Sequence, residues 1–256
     1  MLLTVDIGNT NIVFGVFDDK TIVCEARFET NRCRTADQYA AELSSVFALK
    51  GFELKNIKSS IISSVVPGVT PIIRKAISIA ANVESLVLND TIRSGLNVIV
   101  DKPEQLGADL VSGCVGAIER YELPCLVVDL GTATKISVID KNAVFRGCVI
   151  APGLGVSLSA LSSSASLLPS INLDIADCPA FGTDTVTCMQ AGVIHGTASM
   201  IDGLIDRIEA QLGEKIVSFV ATGGYSENII GFCSHIINYD PDLILYGLKV
   251  IFDRNA

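Results

Sequence analysis

A carboxylate, a glycine turn and several polar side chains occur together near the start of the chain. Asp6 closes an apolar run, and the polar turn Gly8–Asn11 follows before a second apolar run begins. Gly8 and Asn9 tolerate positive φ, so we expect a tight turn whose backbone N–H groups face outward. Outward amides, hydroxyl or amide side chains and a carboxylate suit a nucleotide phosphate and its metal ion. An ordinary hairpin with an asparagine-rich turn explains the same residues equally well.

The same pattern returns about half of the chain's length downstream. Leu126–Ala133 repeats the arrangement of Leu3–Thr10: an apolar strand, an aspartate, an apolar residue, a glycine and a polar residue. Internal similarity of this kind indicates a duplicated unit. We expect one strand–turn–strand unit in each half, with Asp6 and Asp129 facing a shared cleft that holds a ligand. Chance similarity between two short strands is the alternative, which the shared Asp-x-Gly disfavours.

A third glycine turn, Thr222–Gly224, follows a strand predicted at 217–221. Glycine lets a backbone approach a ligand closely, as an adenosine site would need. A plain connection between a strand and a helix is the alternative. The chain contains no P-loop, and Leu158 stands where a dinucleotide-binding fingerprint starting at Gly153 needs its third glycine.

Strands and helices that alternate along the chain must position these turns, and they predict an α/β fold. Thr35 and Gln38 have capping-box spacing ahead of a helix that stops at Gly51. Pro103 is expected to start a helix that runs to about Tyr121. Further helices are predicted at 71–81, 156–168, 184–212 and 243–252. Strands are predicted at 2–7, 12–17, 24–28, 57–66, 85–88, 135–140, 144–150 and 217–221, and another begins at Cys125.

Composition excludes several classes of function. The net charge of −9 comes with no basic stripe that would neutralise nucleic-acid phosphates. No apolar run reaches the roughly 18 residues that a membrane span needs, and the start has no basic leader region. The eight cysteines never form a C-x-x-C pair, so we expect buried thiols rather than disulfides or zinc ligands. A soluble, cytoplasmic protein with a small-molecule substrate, no nucleic-acid partner and no membrane contact is expected.

An ordered series of motifs gives the chain a resemblance to a known family. The series begins with Asp6–Asn11, Gly107–Asp109 and Asp129–Thr134, and it continues at 147–153, 160–169, 182–185, 222–224 and 242–248. It resembles the acetate and sugar kinase, Hsp70 and actin superfamily, and more closely the type III pantothenate kinase (Bvg accessory factor) family. The resemblance covers nearly the whole chain. It implies an α/β fold of two duplicated ribonuclease H-like (actin-like ATPase) domains, residues 1–118 and 119–256, with a nucleotide cleft between them.

The resemblance further implies a homodimeric enzyme that uses ATP to phosphorylate the pantothenate 4′-hydroxyl, the first step to coenzyme A. Asp109 would be the general base, Asp129 a ligand of a monovalent cation (K⁺ or NH₄⁺), and Asp6 would hold Mg²⁺ through water. Without the resemblance, Asp109 reads as a solvated carboxylate at a helix start and Asp129 as a turn cap. The implied ATP contacts are Asp6, Ile7, Gly8, Asn9, Thr10, Asn11, Ile12, Val13, Thr132, Gly223 and Gly224. The implied pantothenate contacts are Val100, Gly107, Ala108, Asp109, Leu110 and Thr185.

The chain departs from the family pattern mainly on the side of the acceptor substrate. Val100 and Leu110 stand where the pattern has tyrosine and arginine, and Lys135 stands where it has threonine. Without the arginine that pairs with the substrate carboxylate, binding weakens roughly tenfold to a hundredfold if nothing replaces it. Lys135 and Arg146 are the candidates to supply the charge. Two alternatives stay open: a kinase for another small hydroxyl compound, or a nucleotide-binding regulatory paralogue without catalysis.

Overall fold

The computed structural model describes residues 1–89, 92–173 and 178–256. The chain forms two compact units. The first comprises Met1–Asn97, Asp101–Glu119 and Asp242–Ala256, and the second comprises Val98–Val100 and Arg120–Pro241. The C-terminal residues therefore pack with the first unit, although the sequence had assigned all of 119–256 to the second domain.

A five-stranded mixed sheet forms the centre of the first unit. Its strands are β1 (Leu2–Ile7), β2 (Asn11–Asp18), β3 (Thr21–Glu29), β4 (Ser59–Ser64) and β5 (Ser85–Val87). They lie in the order β3-β2-β1-β4-β5, with β1 antiparallel to β2 and parallel to β4. Because β1 is central, both of its faces are covered: Leu3, Val5 and Ile7 join one apolar cluster and Leu2 joins another.

The second unit repeats this arrangement in a six-stranded sheet. Its strands are β6 (Asn97–Val98), β7 (Cys125–Leu130), β8 (Ala133–Ile139), β9 (Val144–Pro152), β10 (Ser218–Thr222) and β11 (Asn238–Tyr239). The order is β11-β10-β7-β8-β9-β6. Strands β9-β8-β7-β10-β11 thus match β3-β2-β1-β4-β5, with the same antiparallel pairing of β7 to β8 and the same parallel pairing of β7 to β10. The predicted duplication is therefore present in the fold.

The helices agree with the sequence where local end signals are strong. They are α1 (Ala36–Leu49), α2 (Thr70–Ala81), α3 (Ala108–Arg120), α4 (Leu154–Ser164), α5 (Thr185–Leu212), α6 (Ser226–Ile229) and α7 (Leu243–Asp253). The predicted capping box of α1 is present: Thr35 Oγ1 accepts the Gln38 N–H at 3.3 Å, and Gln38 Oε1 accepts the Thr35 N–H at 2.9 Å. Helix α5 ends at the predicted residue 212, and Gly213 after it adopts the left-handed conformation.

Two predicted helix boundaries were wrong. Pro103 opens only a 3₁₀ turn, Pro103–Gln105, and Leu106 is then extended with ψ at 125°, so α3 begins at Ala108. A proline is equally compatible with the first turn of either helix type, so the sequence signal did not separate them. Helix α4 begins and ends earlier than the predicted 156–168.

Two glycines let α3 and α7 pack backbone against backbone within the first unit. A Cβ on Gly247 would lie 1.8 Å from the Ser112 carbonyl oxygen, and a Cβ on Gly116 would lie 2.4 Å from the Leu243 carbonyl oxygen. No larger residue fits either position without moving a helix. This contact fixes α3, the helix that carries Asp109.

The cysteine prediction was wrong about burial. All eight cysteines are free thiols, yet Cys33 and Cys188 are exposed, whereas Cys24, Cys114 and Cys125 are buried. Spacing along the chain cannot say which face of an element a thiol occupies. Among the helices that the structure describes, none has the length and apolar character needed to cross a membrane.

Candidate active site

The first glycine turn, Gly8–Asn11, joins β1 to β2 directly after Asp6. The Gly8 N–H donates to the Asn11 carbonyl at 2.9 Å, which closes the turn. Asp6 is half-buried, whereas the side chains of Asn9, Thr10 and Asn11 are exposed to solvent. The turn therefore presents polar groups beyond the end of a buried central strand.

Gly8 and Asn9 do not adopt the positive φ angles that we expected. Glycine is favoured at position 8 for a different reason: a Cβ there would lie 3.1 Å from the Asn11 carbonyl oxygen. Ile7 and Ile12 are buried at the two ends of the turn. As ATP contacts, these two residues can therefore offer backbone groups but not side chains.

Two hydroxyl residues that the sequence reasoning missed hold this turn in place. Ser63 Oγ donates to Asp6 Oδ1 at 2.9 Å, because β4 runs parallel to β1 with Ser63 opposite Asp6. Thr30 donates through Oγ1 to the Gly8 carbonyl at 2.7 Å and through its N–H to the Thr10 carbonyl at 2.9 Å. The sequence signal that could have found Ser63 and Thr30 is a hydroxyl side chain directly after the apolar part of a strand.

The second glycine turn, Gly131–Ala133, joins β7 to β8 in the second unit. Asp129 precedes it and lies opposite Lys135 on the antiparallel neighbour β8. Lys135 Nζ is 2.7 Å from Asp129 Oδ2, and the two side chains are only 19% and 17% exposed. An ammonium and a carboxylate at this distance form a charge-assisted hydrogen bond. Because the pair is sheltered, salt screens it less than it screens a surface pair.

Two glycines from elsewhere in the second unit pack against this turn. Gly223 has φ +97°, and a Cβ there would lie 2.7 Å from Asp129 Oδ1. A Cβ on Gly153 would lie 2.4 Å from the carbonyl oxygens of Gly131 and Thr132. We predicted that Gly223 lies on the adenosine side of the site. In the structure it packs so closely against Asp129 that a side chain at position 223 would clash. Gly153 was missed as a site residue.

Helix α4 begins beside the second turn. Gly153 is its N-cap, and the Gly153 N–H donates to the Thr132 carbonyl at 3.2 Å. The first N–H groups of a helix have no intrahelical acceptor, and the helix dipole favours a negative charge near them. Thr132 and Gly224 are exposed. This part of the second unit has the chemistry of an anion site.

Asp109 lies in the first turn of α3, in the first unit. Its Oδ1 accepts the Leu110 N–H at 2.7 Å. A Cβ on Gly107 would lie 2.6 Å from the same oxygen, so glycine there leaves room for the carboxylate. Gly107, Ala108 and Leu110 are half-buried around it. The helix start favours a negative charge at Asp109, whether the residue is a catalytic base or a solvated carboxylate.

The other predicted substrate contacts, Val100 and Thr185, belong to the second unit. Thr185 is the exposed first residue of α5. Asp184 caps this helix by accepting the N–H groups of Val186 at 2.9 Å and Thr187 at 3.1 Å. Hydrogen bonds from Thr187 are the main cause that lowers the pKa of the Asp184 carboxyl. Val100 is half-buried and brings no polar side chain.

Both cations considered for the missing acceptor charge have carboxylate partners. Lys135 is paired with Asp129, and Arg146 Nη1 lies 3.1 Å from Asp140 Oδ2. Burial alone would raise the pKa of the Asp140 carboxyl, but hydrogen bonds from the Val144 N–H and from Arg146 outweigh burial and lower it. Each cation is thus held by its own unit.

Comparison with known proteins decides the family. A family model described as type III pantothenate kinase matches residues 2–207. The chain belongs to the type III pantothenate kinase family. A relative of that name from Moorella thermoacetica is 36% identical over 256 residues, covering 100% of each chain. Another from Caulobacter vibrioides is 38% identical over 257 residues, covering 100% of this chain and 98% of the relative.

Solved structures share the fold of this pantothenate kinase family member. A Campylobacter jejuni protein assigned to the Baf family of transcriptional activators aligns with a TM-score of 0.61 at 20% identity, covering 99% of this chain and 98% of that one. The ROK hexokinase of Thermus thermophilus aligns with a TM-score of 0.53 at 16% identity, covering 100% and 99%. At these identities the likeness concerns the fold alone. The predicted fold class, duplicated ribonuclease H-like and actin-like, is confirmed.

The contact between Gly223 and Asp129 makes a prediction about stability. Gly223→Ala should lower the free energy of unfolding by about 1–3 kcal/mol, because the new Cβ meets Asp129 and φ is positive. Urea denaturation measures this. Gly231→Ala is the matched control, since an added Cβ there meets nothing within 4 Å. If Gly223→Ala and Gly231→Ala are equally stable, the second turn can shift to make room for the added Cβ.

Proposed function

We propose that this chain transfers the γ-phosphoryl group of ATP to the 4′-hydroxyl of pantothenate, the first step to coenzyme A. The family match over residues 2–207 carries this proposal. Relatives that are 36% to 39% identical along the full chain bear the same name, which supports it. In the described residues we find no feature that favours a different hydroxyl substrate or a paralogue without catalysis.

The first turn is proposed to hold the phosphates of ATP. Phosphoryl transfer needs positioning and charge neutralisation more than covalent chemistry from the protein. Asp6–Val13 supply amides and polar side chains for this task, and Thr30 and Ser63 keep the turn and Asp6 in position. Asp6 would hold Mg²⁺ through water, which suits an ion that keeps several waters beside one or two carboxylates. When bound, Mg²⁺ neutralises charge on the phosphates.

The second unit is proposed to contribute Thr132, Gly223 and Gly224 to the nucleotide site. The start of α4 beside Thr132 and the small residues at 223 and 224 support this role. Amides at a helix start bind anions, and glycines allow a ligand to come close to the backbone.

Asp109 is proposed as the general base. It accepts the proton of the pantothenate 4′-hydroxyl while that oxygen bonds to the γ-phosphorus and ADP leaves. A positioned carboxylate is adequate for this step, since a general base typically contributes 10²–10⁴-fold. The half-buried position in the first turn of α3 and the neighbouring Gly107 support this role.

The acceptor site is proposed to include Val100, Gly107, Ala108, Leu110 and Thr185. Leu110 and Val100 cannot form the charged or hydroxyl contacts that arginine and tyrosine make in the family pattern. Lys135 and Arg146 are each paired with a carboxylate. We therefore expect pantothenate use with weak recognition of the substrate carboxylate.

The resemblance also implies a monovalent cation at Asp129, and this chain's residues do not fit a resident ion there. Lys135 Nζ already lies 2.7 Å from Asp129 Oδ2. Gly223 packs beside the other oxygen, since a Cβ there would be 2.7 Å from Oδ1. A second cation at the same carboxylate would be repelled by the ammonium. No step of the proposed reaction is assigned to K⁺ or NH₄⁺.

A homodimer working in the cytoplasm is proposed, with its contact on the α4–α5 face of the second unit. A groove of about 1300 Å³ lies between these helices and is bordered by Thr185. Val156, Leu161 and Val186 are exposed on the same helices. Exposed apolar side chains on the helices that border one groove support an interaction site there.

The proposed base can be tested by Asp109→Asn. The amide cannot accept the hydroxyl proton, so kcat for pantothenate should fall about 10²- to 10⁴-fold while ATP affinity changes little. A coupled ADP-release assay and ATP titration measure the two quantities. Asp37→Asn is the control, because Asp37 is also an aspartate in the first turn of a helix, α1, but is exposed to solvent. Equal turnover by Asp109→Asn and wild type would remove Asp109 from this role.

The weak recognition of the substrate carboxylate can be tested by Leu110→Arg. Restoring a guanidinium should lower KM for pantothenate about tenfold to a hundredfold through a charge-assisted pair. Pantothenol, which has a hydroxyl in place of the carboxylate, should gain nothing. Leu110→Met controls for shape. An unchanged KM would mean that position 110 does not face the substrate carboxylate.

A further inference from the structure

The ion pair between Lys135 and Asp129 is the feature that the proposed function leaves without a role. The two residues face each other on β7 and β8, immediately before and after the second glycine turn. Opposed residues of an antiparallel pair project from the same face of the sheet, so the lysine stem easily reaches the carboxylate. The pair is mostly buried and short.

Its position separates this pair from the chain's ordinary ion pairs. Lys141 and Lys215 also pair with carboxylates in the second unit, but their side chains are 66% and 88% exposed. In both pairs only the lysine is exposed, since the carboxylates of Glu214 and Glu209 are 25% and 9% exposed. Lys135 is instead enclosed beside the strand-end aspartate, and residues 130–134 contain no other basic side chain. Lys135 therefore places a positive charge beside the second turn.

We infer that the Lys135 ammonium is a built-in replacement for the monovalent cation at Asp129, which makes this enzyme independent of K⁺ and NH₄⁺. This inference rests on the proposed kinase function. A primary ammonium carries the same unit charge as NH₄⁺ and donates the same kind of hydrogen bond to a carboxylate. Tethering it to β8 provides a high effective concentration, so no ion has to be recruited from solution.

Both the sequence and the geometry support the replacement of a bound ion by the Lys135 ammonium. Threonine, which the family pattern has at this position, offers a hydroxyl oxygen and no charge, and oxygen atoms are the ligands of hard cations. Lysine removes that oxygen and brings its own cation. Lysine at position 135 thus offers no oxygen ligand and places an ammonium on Asp129.

The first test uses the wild-type chain. Initial rates of ATP-dependent pantothenate phosphorylation are compared in chloride salts of tetramethylammonium, Na⁺, K⁺ and NH₄⁺ at a constant ionic strength of about 0.1 M. The expected result is the same kcat/KM in every salt, within about twofold. A rate about tenfold or more higher in K⁺ or NH₄⁺ than in tetramethylammonium would overturn the inference.

The second test exchanges the cation source. Lys135→Thr should lose about 10- to 100-fold in kcat/KM in tetramethylammonium chloride, and K⁺ or NH₄⁺ should restore most of it. Lys141→Met, which removes another paired lysine of the same unit, should stay at the wild-type rate in all four salts. A purely structural ion pair predicts a different result, namely a loss in Lys135→Thr that no ion restores, and that result would overturn the inference.

A third measurement does not depend on turnover. The thermal midpoint of the wild type should be equal in tetramethylammonium and potassium chloride, whereas Lys135→Thr should gain a shift specific to K⁺, because an ion that binds only the folded state stabilises it. If the wild type phosphorylates pantothenate in no salt, the proposed function fails, and these midpoints still decide the role of Lys135. A K⁺-specific shift of the thermal midpoint in the wild type would contradict the proposed role of Lys135.

Discussion

An aspartate near the carboxyl end of a central strand is the constraint on which both units depend. In each unit this strand pairs on one side with an antiparallel neighbour and on the other with a parallel one. Asp6 and Asp129 therefore cannot shift without breaking both ladders. Ligands of open α/β sheets bind beyond the carboxyl ends of strands. A rigid carboxylate followed by a glycine turn is suited to that position, because it requires little ordering when a charged ligand arrives.

The two copies keep this geometry and differ in the group that donates a hydrogen bond to the carboxylate. Asp6 accepts a hydrogen bond from the neutral hydroxyl of Ser63 on the parallel strand. Asp129 is paired with the Lys135 ammonium on the antiparallel strand. The ammonium beside Asp129 repels a further cation at that carboxylate. The duplicated fold thus has two equivalent positions, and the residues opposite each aspartate give them different surroundings.

Local signals made much of the fold predictable. The capping box at Thr35, the end of α5 at Gly213 and the repeated Asp-x-Gly each rely on residues close together in the chain, and each is present in the fold. The anchors of the site were not predictable in this way. Ser63 meets Asp6 only through parallel strand register, and Gly153 meets the second turn across a hairpin. The helix start predicted at Pro103 was wrong because proline fits the first turn of a 3₁₀ helix as well as that of an α-helix. Roles implied by the resemblance, such as that of Asp109, stay predictions.

The central claim is that this chain makes 4′-phosphopantothenate from ATP. Phosphorus-31 NMR of the purified chain with ATP, Mg²⁺ and pantothenate follows the transferred group directly. The account predicts that the γ-phosphate signal of ATP declines while a phosphomonoester signal, coupled to the 4′-methylene protons of pantothenate, grows in equal amount. Omitting pantothenate should leave ATP intact. Unchanged ATP in the complete mixture, or release of inorganic phosphate without the phosphomonoester, would contradict the account.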